Sequence, residues 1–122
     1  MIMTANNPSI SFRLQQELAE AEAALSRKRM ELREASEKHA TGLTDAVSMG
    51  NIETEKVSIV LEITTISGNI ANLRSAISRM ASGTYGKCLR CGTGIANKRL
   101  LAIPTAALCR PCQETLESLP NQ

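Results

Sequence analysis

Four cysteines are the residues of this chain best suited to chemistry. They form two Cys-x-x-Cys pairs, Cys88/Cys91 and Cys109/Cys112, separated by seventeen residues. Each pair can direct two thiolates at one point, and two facing pairs supply the four ligands that tetrahedral Zn²⁺ prefers. The spacing therefore predicts one structural zinc ion per chain. Because four protein ligands leave no open coordination position, we expect no catalysis at this metal.

Two disulfides, or a redox-active pair, are the alternative reading of the same cysteines. The N-terminal sequence shows no charged region followed by an apolar run, as a secretion signal would, and no stretch reaches about 18 apolar residues. Disulfides are rare in reducing compartments. We therefore expect a cytoplasmic protein that is not bound to a membrane and holds zinc.

Composition limits the kind of fold and the kind of partner. The chain has 122 residues, and its aromatic share of 2%, Phe12 and Tyr85, is too low for a large globular core. Such a chain is elongated, with narrow helix-on-helix seams, or is held together by a metal. A net charge of +2 without a basic block gives no indication of direct, sequence-specific DNA binding.

Two long heptad patterns precede the cysteines. Hydrophobic positions in the second pattern step by four and three residues: Ile59, Ile63, Ile66, Ile70, Leu73, Ile77 and Met80. The first pattern steps in the same way through Leu14, Leu18, Ala21, Leu25, Lys28, Leu32 and Ala35. These spacings predict two helices that pack as an antiparallel coiled-coil hairpin within residues 1–82.

The segment between the two patterns predicts the tip of this hairpin. Residues 41–51 contain two glycines, and Asn51 is a plausible N-cap for the second helix. The facing seam residues, such as Leu14 with Met80 and Leu25 with Ile70, have numbers that add to 94 or 95. The chain should therefore turn near residue 47, with Thr44 to Gly50 as the tip. Such a rod reaches a distant target, or it is a spacer or a dimerising coiled coil.

Residues 83–112 closely resemble the zinc finger of the DksA/TraR family. Besides the cysteines, the family's positions are filled by Gly83, Tyr85, Gly86, Gly92, Ile95, Arg99, Leu100, Ala102, Pro104 and Ala106. Members of the family are transcription factors that bind RNA polymerase rather than DNA and insert the tip of a coiled coil through its secondary channel. The resemblance implies this function here, and it gives Arg99 one of two roles, bracing the finger or contacting the polymerase.

The resemblance also places the family's tip motif, D-x-x-D-x-A, on Asp45, Ser48 and Gly50. Only the first acid is kept, so Asp45 is either the acid that acts at the polymerase active centre or an ordinary turn residue. Some members bind guanosine tetraphosphate through basic residues where finger and coiled coil meet. Ile103 and Gln113 stand at two of those positions here, so we expect no binding of this nucleotide in the family's manner.

Together these observations predict a mainly α fold. An antiparallel coiled-coil hairpin, residues 1–82, is followed by a four-cysteine zinc finger, residues 83–122, with a short C-terminal helix from about Pro111 to Leu119. The expected function is that of a monomeric, RNA polymerase-binding regulator of transcription. The alternative is a zinc-finger adaptor that binds another protein through its coiled coil. No nucleophile, base and orienting group can be assembled, so we expect no enzyme.

Overall fold

The computed structural model describes residues 8–40 and 46–119, with the backbone alone for residues 8, 39, 40 and 46–49. Four helices follow one another: α1 (Pro8–Ala40), α2 (Ala46–Ser82), α3 (Asn97–Ala102) and α4 (Arg110–Ser118). Within these residues the only β pairing is an isolated bridge between Lys87 and Gly94. None of the helices described combines the length and the apolar composition that crossing a bilayer requires. The mainly α fold predicted from the sequence is confirmed.

Burial along α1 and α2 follows the two heptad patterns. Ala35, Ile59 and Ile70 are buried, and the remaining predicted seam positions from Leu18 to Ile66 are half-buried. Most residues between the seam positions, Val60 and Leu61 among them, are exposed. This arrangement is that of two helices held together by one narrow apolar stripe, because a wider core would also cover the flanking residues.

Lys28 occupies a seam position without placing its charge in the core. Its Nζ lies 2.6 Å from Glu62 Oε2 on α2 and 3.1 Å from Glu31 Oε2 on its own helix. The hydrogen bonds to Glu62 and then Glu31 raise the pKa of Lys28. The aliphatic stem thus continues the seam while the ammonium group pairs at its edge.

Helix α2 begins earlier than the sequence predicted. It starts at Ala46, so Ser48, Gly50 and Asn51 are helical, and Asn51 is not an N-cap. Ile52 is buried and extends the seam upstream from Ile59, and Thr54 Oγ1 donates a 3.1 Å hydrogen bond to the Gly50 carbonyl. Burial of Ile52 outweighs the low helix propensity of the glycine, which costs only about 1 kcal/mol.

The chain divides into two compact units. One consists of Leu18–Ala71, the coiled-coil part of α1 and α2. The other joins the described chain up to Glu17 with the chain from Asn72 onward, so the finger packs together with the first turns of α1 and the last turns of α2. Its largest fully buried side chains are Tyr85, Leu14, Leu73, Ile95 and Leu100. The finger therefore shares one core with these helix ends.

Candidate metal centre and its surroundings

The first cysteine pair lies in a tight turn closed by backbone hydrogen bonds. Cys88 N–H donates to the Thr93 carbonyl at 2.8 Å, and Gly92 N–H donates to the Cys88 carbonyl at 2.9 Å. Gly92 has a φ of +77°, in the left-handed region that side-chain-bearing residues rarely adopt. The bridge between Lys87 and Gly94 closes the turn behind it. Both cysteines of the pair consequently stand on the same side of one turn.

The second pair stands at the start of α4. Cys109 precedes the helix as its N-cap residue, and its carbonyl accepts the Gln113 N–H at 2.9 Å. Pro111 stands in the first turn, where a missing N–H costs no helical hydrogen bond. A further bond, from Leu89 N–H to the Ala107 carbonyl at 2.9 Å, ties the two pairs together. The beginning of this helix thus directs the second pair toward the first.

The four sulfur atoms form one cluster. All lie within 4.8 Å of one another, and Cys91 Sγ is 3.7 Å from Cys109 Sγ. Tetrahedral zinc with Zn–S bonds of about 2.3 Å requires sulfurs about 3.8 Å apart. The cluster therefore fits a single zinc ion, which Cys88, Cys91, Cys109 and Cys112 would hold.

The thiols of this cluster differ in acidity. Burial raises the pKa of Cys88, but hydrogen bonds from the backbone N–H groups of Cys91, Cys109 and Arg90 outweigh it and lower the pKa to about 6. The thiol of Cys109, together with burial, raises the pKa of Cys112 to about 12. These backbone N–H groups thus favour the thiolate of Cys88 before a metal binds, whereas the Cys112 thiol would lose its proton to solvent when its sulfur binds the metal.

Tyr85 connects the start of the finger to its middle. The side chain is 2% exposed, and its hydroxyl donates a 2.7 Å hydrogen bond to the Pro104 carbonyl. Burial raises the pKa of Tyr85, while the nearby Arg79 opposes the shift. The backbone N–H of Tyr85 also donates to the Arg79 carbonyl at 3.1 Å, at the end of α2. One residue therefore links the last turn of α2 to the loop after α3.

Three arginines bind backbone carbonyls of the finger. Arg99 Nε donates to Leu108 at 3.1 Å, Arg79 Nη2 reaches Thr105 at 3.5 Å, and Arg13 Nη1 donates to Leu101 at 2.7 Å. The sequence singled out Arg99 alone. Arg13 and Arg79 stand on helices whose other arginines face solvent, so periodicity carried no signal for them. The short helix α3 was missed as well, because six residues are too few to show a period.

An open cavity of about 600 Å³ lies between the last turns of α2, the loop after α3 and α4. Its lining includes Ile103 and Gln113, the two neutral positions named from the sequence, and the neutral Asn72 of α2. Its charged residues are Arg99, Arg110, Glu114 and Glu117. Arg110 Nε already lies 3.1 Å from Glu114 Oε1. The cavity therefore has no surplus of positive charge.

The tip residues fall at the limit of what the structure describes. Asp45 lies outside the described residues. Ser48 lies in the first turn of α2, where only the backbone is described. The predicted roles of both residues at a polymerase active centre therefore stay predictions, as does the choice between the two roles of Arg99.

Comparisons with known proteins found a likeness in the finger. Residues 83–118 match the family model of the prokaryotic dksA/traR C4-type zinc finger. An uncharacterized protein of Aquifex aeolicus (strain VF5) is 45% identical over 51 residues, which are 39% of this chain and 35% of that protein. The match thus spans about a third of the length of this curated relative.

Solved structures extend the likeness beyond the finger. Transcription factor DksA2 from Pseudomonas aeruginosa superimposes with a TM-score of 0.76 and 25% identity, over 88% of this chain and 80% of that one. The RNA polymerase binding protein and transcriptional regulator Dks from Chlamydia trachomatis L2 aligns with a TM-score of 0.41 and 22% identity, over 78% and 88%. The second score is too low to define a common fold. The zinc finger and the mainly α fold expected from the sequence are both supported.

Removing zinc should unfold the finger and spare the helices. Structural zinc contributes about 10–16 kcal/mol of apparent binding energy, which a segment with one aromatic residue cannot replace by packing. We expect one zinc per chain by metal analysis. After chelation the amide signals from residue 83 onward should collapse, while α1 and α2 stay partly helical. A zinc-free protein with an unchanged finger spectrum would contradict this.

Tyr85→Phe should destabilise the zinc-loaded finger by about 1–3 kcal/mol, because the Pro104 carbonyl loses its buried donor. The pKa of Tyr85 is raised above 10.0 in the folded chain. The hydroxyl therefore contributes fully below the unfolded pKa, and its contribution is lost as pH rises through the folded value. Denaturant unfolding should show the gap between the two proteins narrowing in alkali. A constant gap at every pH would contradict the role of this hydroxyl.

Proposed function

We propose that this chain, a DksA-like protein by its finger and its fold, is an RNA polymerase-binding regulator of transcription. The observation that carries the proposal is the agreement of two likenesses. The finger matches the dksA/traR model over residues 83–118, and the fold resembles transcription factor DksA2 over 88% of the chain. A zinc-finger adaptor with another partner would need only the first of these.

The hairpin supports a role in reaching the polymerase active centre. Helices α1 and α2 have 33 and 37 residues and pack along one seam, and the segment between them carries Asp45. Two helices of this length, paired in this way, can carry a short acidic segment into a narrow channel that a globular domain cannot enter. We therefore propose that this end of the hairpin enters the secondary channel of the polymerase, in the cytoplasm, as a single copy.

Arg99 has a role in this proposal that follows from its contacts. Its Nε donates to the Leu108 carbonyl, one residue before Cys109, and its side chain is half-buried. A guanidinium group that is held by a backbone carbonyl in this way is less available to a partner than a fully exposed one. We propose that Arg99 braces the loop that carries the second cysteine pair.

Binding to purified RNA polymerase separates the regulator from the adaptor, and Asp45→Asn then tests the tip. The variant should keep nearly the same affinity for the polymerase but have less effect on initiation, because finger and helices bind while the acid acts at the active centre. Glu55→Gln, an exposed acid farther along α2, is the matched control and should change neither quantity. Equal activity of Asp45→Asn and the unchanged chain in a purified transcription assay would make Asp45 a turn residue.

Guanosine tetraphosphate should not strengthen the effect of this chain through the cavity between α2, α3 and α4. Its arginines are held by the Leu108 carbonyl and by Glu114, and Glu117 adds a further negative charge. A multiply charged phosphate ligand depends on available Arg or Lys groups.

The double variant Ile103→Arg/Gln113→Lys supplies the missing charges, and nucleotide titration of its polymerase complex should show a gain. Leu101→Arg, at an exposed position of α3 outside the cavity lining, is the control and should show none. A response of the unchanged chain that disappears on mutating this cavity would overturn the expectation.

A further inference from the structure

A second heptad seam runs along the outer face of α2. Val57, Leu61, Thr64, Gly68 and Ala71 step by four, three, four and three residues. At 3.6 residues per turn this line lies about 200° around the helix from the seam through Ile59 that packs on α1. All five residues are exposed, Val57 at 59% and Leu61 at 64%. The hairpin leaves this seam without a partner inside its own unit.

The outer seam is more apolar than its composition indicates. Within the seam, Thr64 Oγ1 donates to the Val60 carbonyl at 3.0 Å, and beside the seam Thr65 Oγ1 donates to the Leu61 carbonyl at 3.2 Å. With their hydroxyls bonded to their own helix, these threonines need no partner for the hydroxyl across an interface. Glu62 is the only charged residue from Val57 to Ala71, and its carboxylate pairs with Lys28.

We infer that this outer seam packs against the same seam of a second copy of the chain, in antiparallel orientation. The two-fold axis would pass through Thr64, which then faces itself. Val57 then faces Ala71, and Leu61 faces Gly68, with numbers that add to 128 or 129. Each large residue meets a small one, which is the arrangement that lets two helices interdigitate.

Gly68 gives this register its strongest support. A glycine in mid-helix costs about 1 kcal/mol relative to alanine. A Cβ added at Gly68 would meet nothing within 4 Å, so no neighbour inside the chain requires the small residue. Leu61 of a second copy would fill this space. In the pair of chains the glycine would make room for Leu61 of the second copy, whereas in the single chain nothing requires a residue without a side chain there.

The distribution of charge also favours the outer seam of a second α2, rather than the outer face of an α1, as the surface that packs against this seam. In the antiparallel register the residues opposite Glu62 are Ile66 and Ser67, and those opposite Val60 are Gly68 and Asn69, all of them uncharged, so no like charges meet. The outer face of α1 carries alternating acids and bases over the same length, including Arg27, Arg29 and Glu34. An apolar seam placed against that face would desolvate these charges without pairing them.

The size of the seam sets the strength of the pairing. Fifteen residues of helix, from Val57 to Ala71, extend about 21 Å. Such a contact is smaller than the roughly 800 Å² per partner of stable complexes. Self-association is therefore reversible and depends on concentration, and the monomer expected from the sequence is the dilute form.

The test is sedimentation of the full, zinc-loaded chain over a range of concentrations up to millimolar, with the helix content of each variant checked by circular dichroism at low concentration. The unchanged chain should move reversibly from the mass of one chain to that of two. Leu61→Gly removes the large residue and Gly68→Leu fills the gap, so each should weaken dimerisation at least about tenfold. Met30→Glu, at an exposed position of α1, is the control and should leave dimerisation unchanged.

The swapped double variant Leu61→Gly/Gly68→Leu distinguishes association in this register from non-specific hydrophobic association. It restores the pairing of a large with a small residue, now with residue 68 as the large one, and should regain most of the lost association. A chain that stays monomeric at every concentration would overturn the inference. So would a double variant no better than either single one, or a Met30→Glu variant that dimerises as weakly as Leu61→Gly.

Discussion

The convergence of four cysteine sulfurs on one point is the constraint on which the finger depends. Between residues 83 and 109 the described chain has only a six-residue helix and one isolated bridge, so regular hydrogen bonding cannot define its path. The metal site fixes Cys88 and Cys109 relative to each other, and this brings Tyr85, Ile95 and Leu100 into one core. Packing, capping and the arginine contacts then refine a path that the sulfurs set.

The two units solve the problem of a small core in different ways. In Leu18–Ala71, a stripe one residue wide suffices, because helices satisfy their own backbone groups and need only a line of contact. In the finger most backbone hydrogen bonds are those of turns and loops. Some carbonyls there are also bound by side chains, those of Arg13 and Arg79 from the two long helices and that of Tyr85 from the start of the finger. The ends of α1 and α2 thus belong to the finger's unit as much as to the coiled coil.

What could be predicted from the sequence was whatever repeats or has a fixed spacing. The cysteine pairs and both seams have such spacings, and the metal cluster and the burial of Ile59 and Ile70 agree with them. The predicted start of α2 was wrong. Gly50 and Asn51 are residue types typical of loops and helix caps, but the burial of Ile52, which no local pattern showed, favours the helix there. The contacts of Arg13 and Arg79 join residues far apart in sequence, and no local pattern distinguishes such an arginine from one that faces solvent.

The threonine hydroxyls of α2 change how polarity should be counted on a helix surface. Hydropathy scales give Thr64 and Thr65 the value of an exposed alcohol, yet each hydroxyl already bonds to a carbonyl one turn back, at Val60 and Leu61. Solvent and other molecules therefore meet a side chain closer to valine than to serine. A sequence profile could score threonines in helices as apolar when their hydroxyls can bond to the carbonyl one turn back. Such a profile would identify interaction surfaces on helices that the average polarity of their residues classifies as solvent-facing.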